Sequence, residues 1–131
     1  MYLRDTNIVS YWMCGDQSLM DKIKSHSPSE LSLSTITLAE ILYGIEKSPT
    51  KKKERRTKIS RLCSQLAIHP FDERAVEKYG SIRARLEREG HIISERDLQI
   101  ASIAMAKRLS IVTHNTKEFN RIKGLTVEDW A

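Results

Sequence analysis

The sequence predicts an α/β domain with a mainly parallel β-sheet flanked by helices. Short extended segments alternate with helical patterns along the chain, the arrangement that parallel sheets with helical crossovers require. Helix starts and stops stand at the joints between them: Asp16, Thr37, Asp72 and Ser94 as caps, and Gly90 as a C-terminal stop. The 131 residues are 40% apolar with five glycines and three prolines, enough for one packed domain spanning residues 1–131. No repeat, low-complexity tract or linker interrupts it.

Tyr2-Leu3-Arg4 reads as a strand stopping at Asp5, and Asp5-Thr6-Asn7 as a turn into a helix over the apolar stretch Ile8 to Met13. Asp16 caps a helix carrying Leu19, Met20 and Ile23. Leu31, Leu33 and Ile36 form a second strand, and Thr37 starts a helix. There Leu38, Ile41, Leu42 and Ile45 recur at i, i+3, i+4 and i+7. A basic helix follows Pro49 and buries Ile59, Leu62, Cys63 and Leu66. Ile68 to Phe71 is extended and leads to Asp72, the cap of a helix that buries Val76, Tyr79, Ile82 and Leu86 and stops at Gly90. Ser94 begins a helix running to about Leu109, followed by a strand over 110–113, a helical turn over 115–119 and a last strand over 125–127.

Charge narrows the partners. Lys and Arg number 22 against 17 Asp and Glu, and Lys51 to Lys58 holds six bases and one acid. Removing that segment leaves 16 of each sign, so the excess is one patch made of Lys51, Lys52, Lys53, Arg55, Arg56 and Lys58. Such a patch attracts phosphates, or it is a solvated helix start that keeps the protein in solution. No apolar run approaches the roughly 20 residues of a membrane span, and no signal-peptide core opens the chain. Cys14 and Cys63 form no Cys-x-x-Cys pattern. A reduced, soluble, cytosolic protein with no membrane association is the expectation.

Three acids stand near strand ends or helix starts: Asp5, Glu40 and Asp97. Each has a structural reading, since Thr37-x-x-Glu40 is a capping box, Ser94-x-x-Asp97 a near version of one, and Asp5 can cap the helix after it. Glu40 lies about 150° from the centre of its helix's apolar stripe, facing solvent or a cleft. Asp97 shares a face with Ile100, Ala101 and Ala104, and a carboxylate on a packed side needs a hydrogen bond, an ion pair or a cation. Helices of parallel sheets begin at the carboxyl ends of the strands, where ligands bind. Acids converging there repel one another unless a divalent cation lies between them, and hard oxygen ligands suit Mg²⁺ or Mn²⁺. An acidic metal centre beside a basic patch fits metal-assisted phosphodiester hydrolysis. The four histidines lack metal-ligand spacing, and no glycine-rich phosphate loop or nucleophile elbow is present.

These residues give the chain a resemblance to PIN-domain ribonucleases, and within them to the VapC toxins of toxin–antitoxin pairs. The carriers are Asp5-Thr6-Asn7, Thr37-Leu38-Ala39-Glu40 with Tyr43-Gly44, Gly90, and Asp97-Leu98-Gln99-Ile100-Ala101 with Ala104. Val112-Thr113-x-Asn115-x-x-Glu118-Phe119 and Gly124-Leu125-x-x-Glu128-Asp129-Trp130 complete the set. The resemblance runs from Leu3 to Trp130 and implies a PIN-like three-layer fold. It implies Asp5, Glu40 and Asp97 as ligands of Mg²⁺ or Mn²⁺, with Asn115 as a fourth catalytic position. Thr6, Thr113 and Glu118 would support the ligands from behind. It further implies endonucleolytic RNA cleavage leaving 5′-phosphate and 3′-hydroxyl ends, with tRNA as substrate class and initiator tRNA as a candidate. A homodimer and a VapB-type antitoxin partner are implied as well. The family usually has an aspartate where this chain has Asn115, and Glu118, one turn later, can stand in. Arg4 replaces an apolar strand residue, either covering the sheet edge or approaching RNA.

Two other readings compete. Asn115 fits a PIN-like module that binds RNA but cuts weakly or not at all. A receiver or phosphohydrolase domain built on a strand-end aspartate fits worse: Asp5-Thr6-Asn7 lacks a second aspartate at i+2, and no adjacent acidic pair stands near the first strand.

Overall fold

A computed structural model describes residues 2–4, 21, 25 and 30–129. Among the described residues ten elements follow in order: β1 (Tyr2–Arg4), β2 (Leu31–Ser34), α1 (Thr35–Lys47), α2 (Lys52–Gln65), β3 (Ala67–His69), α3 (Glu73–Arg88), α4 (Glu95–Lys107), β4 (Ser110–Val112), α5 (Thr116–Phe119) and β5 (Val127–Glu128). The sheet order is β3-β2-β1-β4-β5 and every pairing is parallel. The chain therefore adds strands on one side of β1 and then crosses to the other. This reversal leaves a crevice beyond the carboxyl ends of β1 and β4, the usual ligand position in such sheets. The expectations for Asp5, Thr6, Cys14, the helix capped by Asp16, and Trp130 lie outside the described residues, as does the Arg4 side chain.

Strand pleating divides the core. Leu3 and Ile111 are register partners and pack with Ala75, Leu86, Leu98 and Phe119, the side covered by α3 and α4. Leu33 and its partner Ile68 pack with Ile41, Ile45, Ile59 and Leu62, the side covered by α1 and α2. The result is helices, sheet and helices in three layers, as expected from the sequence. Among the described residues no helix is long and apolar enough to cross a membrane.

Asp72 and Ser94 cap their helices as expected, accepting from the backbone N–H of Ala75 (3.1 Å) and Asp97 (3.2 Å). Gly90, at φ +74°, follows α3 in a Schellman arrangement. His91 N–H donates to the Leu86 carbonyl and Gly90 N–H to that of Glu87. Arg108 takes the same left-handed conformation after α4 (φ 56°), where a Cβ costs roughly 1 kcal/mol or more.

The start of α1 departs from expectation. Ile36 belongs to the helix, and Ser34, not Thr37, is the cap: its Oγ accepts from Thr37 N–H at 3.0 Å and donates to Thr37 Oγ1 at 3.2 Å. Thr37 is fully buried one turn in, and Glu40 is not the far end of a capping box. Val76 is 51% exposed rather than core. The core-facing stripe of α3 runs through Ala75, Tyr79, Ile82 and Leu86, one residue out of phase with it, and of these Tyr79 and Ile82 are only half-buried. Cys63 and Leu66 are only half-buried. The helix begun by Ser94 stops at Lys107, two residues early; β4 ends one residue early, and β5 begins two residues later than expected and ends one later.

His69 Nε2 is the one buried side-chain polar atom without a hydrogen-bond partner among the described residues. Burial, followed by the nearby Lys107 charge, holds this imidazole below its usual 6.5, against an opposing pull from Asp72. An unfolded chain thus binds more protons at His69 than the native one between the depressed value and 6.5, so stability falls as pH drops through that window. Denaturant melts between about pH 7 and pH 5 should show this slope in the wild type and a flatter one in His69→Phe.

Candidate active site

The site begins with the first turn of α4. Ser94 fixes the turn through Asp97 N–H, which sets Asp97 three residues into the helix with its half-buried carboxylate beside the core face of Ile100, Ala101 and Ala104. Beyond the end of β4, the buried Thr113 Oγ1 accepts from Asn115 N–H at 2.9 Å and turns the chain into α5. Asn115 then reaches both ways. Its Nδ2 donates to Asp97 Oδ2 at 3.2 Å and to Glu118 Oε2 at 3.1 Å. One neutral amide thus gathers two carboxylates from different elements. Phe119, fully buried next to Glu118, anchors the short helix that carries it.

Glu40 lies on α1, which packs against α4. Its side chain is 25% exposed, and its carboxylate faces the Arg96 guanidinium at 3.5 Å. The structure therefore joins Asp97, Asn115 and Glu118 directly, with Thr113 holding the turn, and links Glu40 to the neighbour of Asp97. Asp5 and Thr6 lie outside the described residues; the strand that ends one residue before Asp5 is the central one. Arg96 received no role from the sequence. The available signal was its position, a cation in the first turn of a helix, where the macrodipole favours anions.

Among the described residues no three acidic, histidine or cysteine side chains stand close enough together to hold a metal ion. The donors that do converge fit a hard divalent cation in kind. Asp97 and Glu118 supply carboxylate oxygens with an amide between them, and no imidazole or thiolate ligand intrudes among the described residues. Two carboxylates held around one amide are oxygen donors of the kind a hard divalent cation takes.

The basic segment is a separate surface. All six of its cationic residues are exposed at the start of α2. Lys52 and Arg56 lie 3.9 and 3.2 Å from Glu46 of α1, and Arg55 donates to Ser48 Oγ at 3.1 Å. Lys51, Lys53 and Lys58 form no ion pair among the described residues, and none of the six pairs with Glu40, Asp97 or Glu118. Lys51 occupies the cap of α2 in a left-handed conformation (φ 61°) without a capping side-chain bond. Three lysines at an uncapped helix start oppose the dipole, so local stability does not explain them.

Comparison with known proteins places this geometry. The PIN domain family matches residues 2–125. Ribonuclease VapC2 of Rickettsia felis is 37% identical over 99% of this chain and 98% of its own length. The tRNA(fMet)-specific endonuclease VapC of Shigella flexneri is 32% identical over the same shares. Among solved structures, DNA-bound VapBC from Salmonella typhimurium superposes with a TM-score of 0.91 at 30% identity, covering 99% of this chain and 98% of that one. VapBC2 of Rickettsia felis bound to a promoter DNA fragment gives 0.88 at 36%, with the same coverage.

Proposed function

The chain belongs to the PIN-domain family, in its VapC branch, and from that premise we propose that it is a toxin that cleaves RNA and is held in check by a VapB-type antitoxin. The finer reading is a Mg²⁺- or Mn²⁺-dependent endoribonuclease acting on tRNA, working as a homodimer, with residues 1–131 as one PIN domain. The observation that carries it is the Asn115 amide joining Asp97 and Glu118 at 3.2 and 3.1 Å beyond the end of β4.

Asp5, Glu40 and Asp97 would hold the ion, with Asn115 and Glu118 completing the acidic wall and Thr6 and Thr113 fixing the backbone behind it. A bound divalent ion supplies Lewis acidity and lowers the pKa of a water. In the reaction the water oxygen bonds to phosphorus and the P–O3′ bond breaks. The 3′ oxygen leaves with a proton as a hydroxyl, and the phosphate stays on the 5′ end. Asp97 and its neighbours would orient the ion and the attacking water, and carboxylates already tied by Asn115 would need little rearrangement as charge develops.

Incubation of purified protein with total tRNA and Mg²⁺ tests this. Specific cleavage with 5′-phosphate ends, lost in excess EDTA, is expected, and initiator tRNA is the first species to examine because the Shigella relative is named for it. Undiminished cleavage in EDTA would overturn the metal-dependent reading, and binding without cleavage even in Mn²⁺ would favour a non-catalytic RNA-binding module.

The basic segment of α2 is assigned to the RNA backbone. Replacing Lys51, Lys53 and Lys58 with Gln should weaken tRNA binding and reduce the slope of log K against log salt by about 0.7 for each phosphate no longer neutralised. Filter binding across a salt series measures this, with the melting temperature as control. An unchanged slope would assign the segment to solvent.

A further inference from the structure

We propose that Arg96 is a built-in counter-ion for Glu40 that also supplies the guanidinium contacting the scissile phosphate; this rests on the metal-dependent RNA-cleaving reading of the site. The position of Arg96 has no local rationale. It is the second residue of α4, at the positive end of the helix dipole, between two acids that suit that end. Both acids are already engaged. Glu95 accepts from the Tyr79 hydroxyl at 2.6 Å and lies 3.9 Å from Arg83, and Asp97 accepts from Asn115. Arg96 instead reaches across to Glu40 on α1.

The pair is loose and lopsided. One nitrogen stands 3.5 Å from one oxygen, longer than a charge-assisted hydrogen bond of about 2.7–2.9 Å. The Glu40 side chain is recessed at 25% exposure while that of Arg96 is 67% exposed. The cation therefore stands on the outer side of an acid assigned to metal binding, where an approaching polyanion meets it first. Glu40 oxygens engaged with a divalent ion cannot fully serve Arg96 as well. The released guanidinium, planar and permanently charged, matches phosphate oxygens in a two-pronged contact that lysine cannot reproduce. Arg96 thus offsets the charge of Glu40 before an ion binds and stabilises the phosphate afterwards.

The test compares full-length wild type, Arg96→Ala and Arg96→Lys in two measurements: calorimetric titration with Mn²⁺ alone, and single-turnover tRNA cleavage at saturating Mn²⁺ and RNA. Arg96→Ala should bind Mn²⁺ about two- to fivefold more tightly, the scale of an exposed ion pair. Its cleavage rate should fall about 100-fold, the scale of one lost transition-state donor. Arg96→Lys should restore the Mn²⁺ affinity and only part of the rate. All three proteins should melt alike, since Arg96 is exposed. Unchanged Mn²⁺ affinity in Arg96→Ala overturns the counter-ion role, and an unchanged rate overturns the phosphate role. A wild type that cuts no RNA removes the proposed function and the phosphate role together, while the Mn²⁺ comparison still decides the counter-ion role.

Discussion

Asp97→Ala should lower the single-turnover rate of RNA cleavage by roughly 10³-fold or more while leaving a folded protein. The asymmetry follows from where the side chain sits. Its backbone N–H is held by Ser94, which the substitution leaves in place, so the first turn of α4 keeps its cap. The fold loses the hydrogen bond from Asn115 and the interaction of one anion with a helix N-terminus, the latter worth about 0.3–1 kcal/mol. The site loses more. Asp97 is the carboxylate that Asn115 ties to Glu118, and its removal leaves the amide with one acid and the proposed cation with one ligand fewer. A loss of roughly 10³-fold corresponds to about 4 kcal/mol of transition-state stabilisation. Cleavage in Mn²⁺ beside a thermal melt reads both quantities. Full activity in Asp97→Ala would remove this acid from the chemistry.

Phe119→Ala should destabilise the protein by about 3–5 kcal/mol, the range for truncating a fully buried aromatic. Phe119 has no exposed surface and lies in the cluster with Ile111, Ile122, Leu98 and Leu3. It ends the four-residue helix α5, too short to hold its own shape, so burial of this ring is what fixes Glu118 beside it and Asn115 at the helix start. The expected result is therefore twofold: a large drop in the denaturation midpoint, and cleavage reduced even under conditions where the variant remains folded. Phe119→Leu, which refills most of the volume, should recover much of both. Normal activity in a folded Phe119→Ala would show that the Asn115–Glu118 arm is positioned by something else.

The architecture was legible because its punctuation is chemical. Asp72, Ser94 and Gly90 satisfy helix-end groups that would otherwise be orphaned, and they do so at the expected positions. The start of α1 misleads because two patterns overlap three residues apart, Ser34-x-x-Thr37 and Thr37-x-x-Glu40. Which one caps depends on where β2 ends, and that is set by the pairing of Ser34 with His69 across the sheet. Val76 misleads because a single apolar residue beside a stripe looks like part of it.

The site was legible where position implied cost. Asp97 on a packed face demanded a partner, and the structure gives it Asn115. Glu118, placed behind the ligands, reaches the same amide as Asp97 through the i, i+3 spacing from Asn115. Arg96 was not legible, since an arginine between two acids reads as ordinary surface charge until the helix end beneath it and the acid opposite it are known.

The strand order also sets a schedule for synthesis. β1 is made first yet lies at the centre of the sheet, and its neighbour β4 is made about a hundred residues later. The side chains assigned to the proposed site follow the same sequence, Glu40 early, Asp97 late, and Asn115 and Glu118 after β4. A ribosome-bound chain can therefore assemble β3-β2-β1 with α1 and α2, but it presents no closed crevice until its final segments emerge. Translation at about 5–20 residues per second makes that an interval of seconds in which the proposed site of each new copy is incomplete. Under the proposed function, an antitoxin present in that interval would meet its target before the target is armed.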